Sequence, residues 1–232
     1  MRLEVLPAAV WAATVAETLS HRLRSRPHLR LCLATGRTPT PVYAALGADT
    51  LTSATVILLD EFGGLPPGHP ARCETMLRAA LRSGVKPRKV IVPEVDRPDL
   101  AAACRDFDRA IGQGGIDLAI LGLGRNGHLG MNEPGSSVSA PTRVIRLAPE
   151  TRESARGYGA DPVPDWGITA GLNQVLAAGE VWLLVTGSHK SAILKQTLEG
   201  PIGPDVPATY LRDHPAATVW ADADAAAGMS AG

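Results

Sequence analysis

The sequence predicts a single-domain α/β fold, an open and mostly parallel sheet with helices on both faces. Three observations predict it. Short apolar runs alternate with helical patterns almost to the end of the chain. Several of those runs stop at a polar, glycine-bearing turn. No repeat or linker divides the sequence. Strands separated by helices of about 10–15 residues form parallel units with right-handed crossovers, so a modified Rossmann-like arrangement is expected.

Each element has its own reason. Val10, Val15, Leu19 and Leu23 share one face of a helix expected over Leu6–Leu23. Leu29–Ala34 is a short apolar run before a Gly turn, hence a buried strand. Pro39 stands near the start of a helix running to Leu46. Ala54–Leu59 is a second buried strand and ends at Asp60. Ala71–Arg82 is a helix, Lys89–Val92 a strand, and Asp99–Ile111 an amphipathic helix. Ile116–Leu121 is another buried strand, leading into the Gly-rich turn Gly122–Gly130. Arg143–Leu147 is a candidate strand and Thr169–Ala177 a helix. Val181–Thr186, Lys190–Leu198 and Ala217–Trp220 read as strand, helix and strand. The domain is expected over 1–222. Residues 223–232 (ADAAAGMSAG) read as a disordered tail. Gly157–Gly167 (GYGADPVPDWG) reads either as a mobile lid or as an ordinary surface connection.

Composition limits the function. The chain has 232 residues, and 23 Lys plus Arg balance 23 Asp plus Glu. A general nucleic-acid binder needs a basic excess, so no nucleic-acid partner is expected. Apolar residues make up 45%, an ordinary globular share. A chain of this size buries about 70% of its unfolded surface and needs no staple. The longest apolar runs are too short to cross a bilayer. Glu4 and Glu17 flank the apolar N-terminal segment, which reads as helix rather than signal peptide. Cys32, Cys73 and Cys104 are far apart and odd in number, which suits a reducing cytoplasm. No His pair at i, i+4 and no thiolate cluster suggests a metal site.

Ligands of open α/β sheets bind beyond the carboxyl ends of the strands, so the residues following each strand carry the chemistry. Thr35-Gly36-Arg37-Thr38 follows the first strand. It reads as a nest of amides for phosphate or as plain capping by Thr38. Asp60 and Glu61 follow the second. Asp60 reads as a general base if burial lifts its pKa, or as a strand-end acid. His128 and Glu133 follow the Gly-rich turn, as a proton shuttle with its orienting carboxylate or as an ordinary loop histidine. Lys190 opens a helix, where a cation opposes the dipole unless an anion sits there; alone it reads as a solvated surface residue.

Five segments together resemble the glucosamine-6-phosphate deaminase family, in the wider group that includes 6-phosphogluconolactonases. They are LCLATGRTPTPVY at 31–43, LLDEFGGLPPGHP at 58–70, LGLGRNGHLGMNEPGSS at 121–137, TGSHKSAIL at 186–194 and LRDHPAATVWAD at 211–222. The pattern GxxGHxxxNEPGS is specific, since the lactonases resemble GxDGHTASLFPG there. The resemblance implies aldose–ketose isomerisation with loss of ammonia, without metal or organic cofactor. It implies Asp60 as the base at C2 and His128 as the ring-opening shuttle, aided by Glu133 and Asn126. It places Thr35, Gly36, Arg37, Thr38 and Lys190 at the phosphate, with Glu61 and Gly127 as further substrate contacts. The family's arginine from the stretch 151–157 maps onto Arg156, with Arg152 in reserve. The implied partner is a small amino sugar phosphate, and the implied protein is a cytoplasmic monomer or small homo-oligomer.

Departures from the family pattern are Arg37 in the phosphate turn, Asn126 where many relatives carry Asp, and Arg72 and Cys73 after the GLPPGHP loop. Ile145 and the short C-terminal stretch point away from strong activation by N-acetylglucosamine 6-phosphate. Two alternatives remain: a lactone hydrolase on the same scaffold, and a non-catalytic sugar-phosphate sensor. Asp60 and Glu133 count against the first. A sensor has no need of the proton-transfer set.

Overall fold

The computed structural model describes residues 1–82 and 84–229. Seven strands form the main sheet: β1 (Arg2–Leu6), β2 (Arg30–Leu33), β3 (Thr55–Leu58), β5 (Lys89–Ile91), β6 (Leu118–Gly122), β9 (Glu180–Val185) and β10 (Ala217–Asp222). Their order is β1-β10-β9-β6-β2-β3-β5, and every pairing is parallel. Alternate residues of each strand feed two cores. Leu31, Leu33, Leu118, Ile120 and Trp182 join one, on the side of helices α1 (Ala8–Ser25), α2 (Thr40–Ala44) and α3 (Cys73–Ala80). Cys32, Ala119, Leu121, Val181 and Leu183 join the other, on the side of α4 (Leu100–Gly112), α6 (Leu172–Leu176) and α7 (Ser191–Glu199). The expected parallel sheet with helices on both faces is therefore present. None of the helices among the described residues is long and apolar enough to cross a membrane.

Four elements depart from expectation. The N-terminal helix begins only at Ala8, because residues 2–6 form an edge strand paired with β10. A second, antiparallel sheet of order β4-β8-β7 packs beyond the first; it contains β4 (Asp60–Phe62), β7 (Arg143–Arg146) and β8 (Trp166–Thr169). The expected helix from Thr169 consequently starts at Leu172. A further helix, α5 (Pro149–Gly157), spans the stretch expected to offer a phosphate arginine. The tail differs as well. Ala225 is fully buried, and the Ala223 amide donates to Leu6 O at 2.9 Å. Residues 223–229 thus form a packed turn rather than the disordered segment expected, while 230–232 lie outside the described residues.

The two sheets meet at Leu59. Its amide donates to Leu33 O of β2 at 3.0 Å, and its carbonyl accepts from Ala170 N at 2.8 Å. The next residue, Asp60, already pairs with Thr169 of β8. Glu61 then turns away from the sheet edge and is 1% exposed. Its carboxylate accepts from the amides of Phe62 at 2.8 Å, Cys73 at 2.8 Å and Glu74 at 2.9 Å. The last two are donors that α3 leaves open at its N-terminus, so Glu61 caps the helix from a distance. Burial raises the Glu61 pKa, and the amides with Arg72 at 3.8 Å oppose that rise. The expected substrate contact is corrected: Glu61 is spent on holding β4 to α3.

Removing this carboxylate strands three amides, two of them in buried bonds, each costing about 1–3 kcal/mol. Glu61→Ala should therefore lower unfolding free energy by about 3 kcal/mol or more in urea titration. Glu61→Gln, which keeps one acceptor oxygen, should lose less.

Candidate active site

The strand order reverses direction between β2 and β6: the chain winds outward to β3 and β5, then returns to β6. At such a switch point neighbouring loops part and leave a crevice at the strand ends. Here the crevice is a cavity of about 330 Å³. The turns after β2, β6 and β9 enter it, with Asp60 at the joint of the sheets and α5 as the opposite wall.

One end is built for proton transfer. Asp60 is 7% exposed and borders the cavity. Burial pushes its pKa up to about 7, with repulsion from Glu61 and, more weakly, Glu133; a hydrogen bond from the Cys73 thiol opposes the rise. Gly130 at φ +60° presses on it: a Cβ there would lie 2.9 Å from Asp60 Oδ2 and 2.8 Å from Leu59 Cδ2. Only a residue without a side chain lets the turn pass so close.

His128 lies on the same turn. Its Nδ1 sits 3.1 Å from Glu133 Oε2 and 3.2 Å from the Thr151 hydroxyl. Thr151 gives its own proton to Glu133 Oε1 at 2.5 Å. The network therefore assigns the Nδ1 proton to the Glu133 bond and leaves Nε2 as the free ring nitrogen. The ring packs flat over Gly124, where any Cβ would lie 2.2 Å from it. Asn126 completes the arrangement: its Nδ2 donates to Glu133 Oε2 at 3.1 Å, and its Oδ1 accepts from the His128 amide at 3.2 Å. Burial pushes the Glu133 pKa up, but His128, Thr151 and Asn126 outweigh it and hold the carboxyl below its ordinary value.

The other end is cationic. Thr35, Arg37 and Thr38 line the cavity from the turn after β2. Lys190 closes a 3₁₀ turn, Ser188–Lys190, that leads into α7, and its Nζ donates to Leu123 O at 2.6 Å. Both oxygens of Asp222 hold the Gly187 amide at 3.0 Å, which fixes the turn that delivers Lys190. Burial and then the nearby Arg125 charge lower the Lys190 pKa to about 8. His189 is lowered for the same kinds of reason, burial first and then Lys190 and Arg125. Arg37 Nη2 donates to Gly157 O at 3.2 Å and ties the first turn to the end of α5. Among the described residues, no group of three or more His, Cys, Asp or Glu is disposed around a common metal position.

Asp60, His128, Thr35, Arg37, Thr38 and Lys190 thus converge on one cavity as expected, with Asn126 and Glu133 behind His128. Other expectations fail. Arg156 is exposed on α5 and pairs with Glu153, and neither it nor Arg152 lines the cavity. The helix brings residues 150, 151, 153, 154, 157 and 158 to the cavity and leaves 152 and 156 outside. Gly127 at φ +82° faces Val206 and Ile193 instead of the cavity. Gly36 lies behind its turn, where a Cβ would meet the Tyr158 hydroxyl at 2.8 Å. Tyr158 and Thr151 were not foreseen, and neither was Arg125. Only the helical spacing of Thr151, Ser154 and Tyr158 offered a signal for the first two. Of the segment 157–167, Gly157 and Tyr158 reach the cavity, while Ala160 is buried in the core and Trp166 opens β8.

The family model described as glucosamine-6-phosphate isomerases/6-phosphogluconolactonase matches residues 5–220. A glucosamine-6-phosphate deaminase of Streptomyces coelicolor is 38% identical, covering 97% of this chain and 92% of that protein. Glucosamine-6-phosphate deaminase 2 of Bacillus subtilis is 36% identical, covering 91% and 90%. The structure of a monomeric glucosamine-6-phosphate deaminase superposes with a TM-score of 0.89 at 30% identity, covering 97% and 99%. A 6-phosphogluconolactonase from Trypanosoma cruzi superposes with a TM-score of 0.79 at 19% identity, covering 99% and 97%, and so shares the fold. With the family match spanning nearly the whole chain and the shared fold enclosing one acid–base and cationic cavity, the chain belongs to the glucosamine-6-phosphate isomerase/6-phosphogluconolactonase family.

Proposed function

We propose that this enzyme converts glucosamine 6-phosphate and water to fructose 6-phosphate and ammonia. The observation that carries this reading is Asp60, a buried carboxylate with a pKa of about 7, in one cavity with the His128–Glu133 pair and Lys190. A base near neutrality gives the best compromise between being deprotonated and being strong enough to take a carbon-bound proton.

The steps follow from the two ends. Lys190 and the turn Thr35–Thr38 hold the phosphate, whose binding energy orients the reacting carbons. His128 Nε2 moves a proton between the ring oxygen and the anomeric hydroxyl, and this opens the ring. Glu133 faces the imidazolium formed on the way. Asp60 takes the C2 proton while the substrate's own C2 ammonium gives one to the C1 carbonyl oxygen, and a neutral enolamine results. Asp60 returns its proton to C1, which leaves an iminium at C2. Water adds there and ammonia departs, giving the ketose. The side chains supporting this sequence come from one chain, which fits a monomer or small homo-oligomer. Three unpaired, buried cysteines support a cytoplasmic location. A lactone hydrolase needs no base at a C–H bond, so Asp60 favours the deaminase reading. Ammonia release over a panel of hexosamine 6-phosphates, with 6-phosphogluconolactone as the competing substrate, tests the choice.

Asp60→Asn should abolish ammonia release and exchange of the substrate C2 hydrogen with deuterium, while the sugar phosphate still binds. The same variant should be more stable at pH 8. The folded carboxyl has a pKa of about 7, above its unfolded value, so the folded state holds the extra proton and stability falls as pH rises between the two. Asparagine removes that loss, and Tm should rise by roughly 5 °C.

The pH profile of kcat/KM should be bell-shaped. Activity rises through about pH 7 as Asp60 loses its proton. It falls above about pH 8 as the Lys190 ammonium, with the Arg125 charge close by, is neutralised. Lys190→Arg should move the alkaline limb upward and leave the acid limb in place. An unmoved alkaline limb would assign it to another group.

A further inference from the structure

We propose that Arg125 supplies the guanidinium that grips the substrate phosphate, in the place that the α5 arginines do not fill. The inference rests on the deaminase reading and names a binding residue for it. Arg125 lines the cavity from the turn after β6. Two residues before it, Leu123 offers the carbonyl that receives the Lys190 ammonium at 2.6 Å. The two cations are therefore delivered to one corner by a single short contact between two turns.

Neither Arg125 nor Lys190 forms an ion pair with a carboxylate among the described residues. Asp222, on the neighbouring strand end, is engaged by the amides of Gly187 and Ala225. Two like charges side by side, one of them partly buried, repel each other unless an anion enters between them. The depressed pKa of Lys190, caused in part by Arg125, reports that repulsion. A phosphate dianion relieves it. The flat guanidinium takes two phosphate oxygens and the ammonium a third, so the pair reads the phosphate by shape as well as charge.

The other arginines are excluded by position. Arg156 is exposed and paired with Glu153 at the cavity rim, Arg152 is exposed too, and neither arginine lines the cavity. Arg37 borders the cavity, but it donates to Gly157 O and is absent from the groups that perturb Lys190. Its role is to join the first turn to α5. Arg125 also shares its turn with His128, three residues on. A phosphate held by Arg125 therefore orders the same backbone that carries the proton shuttle.

Arg125→Ala tests this, because the side chain is exposed and its loss should leave Tm unchanged. Inorganic phosphate is the probe, titrated calorimetrically, beside KM for glucosamine 6-phosphate. A charge-assisted contact of this kind predicts a loss of about 10- to 100-fold in both. Arg125→Lys should recover part of the loss, and Arg152→Ala and Arg156→Ala should stay within about twofold of wild type. Unchanged phosphate affinity in Arg125→Ala, or a loss that appears in Arg156→Ala instead, overturns the proposal. So does a wild-type protein that does not bind inorganic phosphate. If wild type binds phosphate through Arg125 but releases no ammonia from any hexosamine 6-phosphate, the deaminase reading fails and the assignment of Arg125 stands.

Discussion

A carboxylate buried without a cationic partner at the joint between two sheets is the constraint on which this structure depends. Asp60 cannot move aside: Leu59 before it is hydrogen-bonded to both sheets, and Glu61 after it is locked to α3. Charge burial of this kind is unfavourable, and the surroundings make it tolerable only in part, through the Cys73 thiol and the cavity itself. The result is a base that is weakly held as an anion and strong enough to act on carbon. Stability is given up at the position where reactivity requires it.

Glu133 shows the opposite treatment of the same chemical group. It too is buried, yet His128, Thr151 and Asn126 all direct hydrogen bonds at it, and its pKa is lowered. Two carboxylates near one cavity thus acquire different roles from their neighbours alone. Asn126 fits this logic. Its amide both donates to Glu133 and accepts from the His128 backbone, so it positions the pair without adding a second negative charge.

The cationic and anionic ends are kept apart by the order of the strands. Lys190 and Arg125 come from the turns after β9 and β6, while Asp60 follows β3. Because all these strands are parallel, their carboxyl ends share an edge, and chemistry from distant parts of the chain meets there. The antiparallel second sheet adds what the parallel sheet cannot. Its β4 holds Asp60 in place through β8, and β7 leads into α5, which closes the cavity with Thr151 and Tyr158.

The sequence by itself determined the parallel sheet, because buried strands and amphipathic helices carry local patterns that survive without their partners. It also determined the chemistry at the strand ends, since Asp60, His128 and Lys190 each follow a recognisable apolar run. Only tertiary structure decided the rest. β1 is an edge strand whose partner lies more than 200 residues away, and its pattern merges with the helix after it. β4 has three residues and exists only because β8 pairs with it. Glu61 and Asp60 are adjacent and identical in charge, but strand alternation sends one to α3 and the other to the cavity. Arg125 and Arg156 are equally cationic in sequence. One stands on a turn at the sheet edge and the other on a helix, and which of them meets a ligand is set by the direction in which the backbone points the side chain.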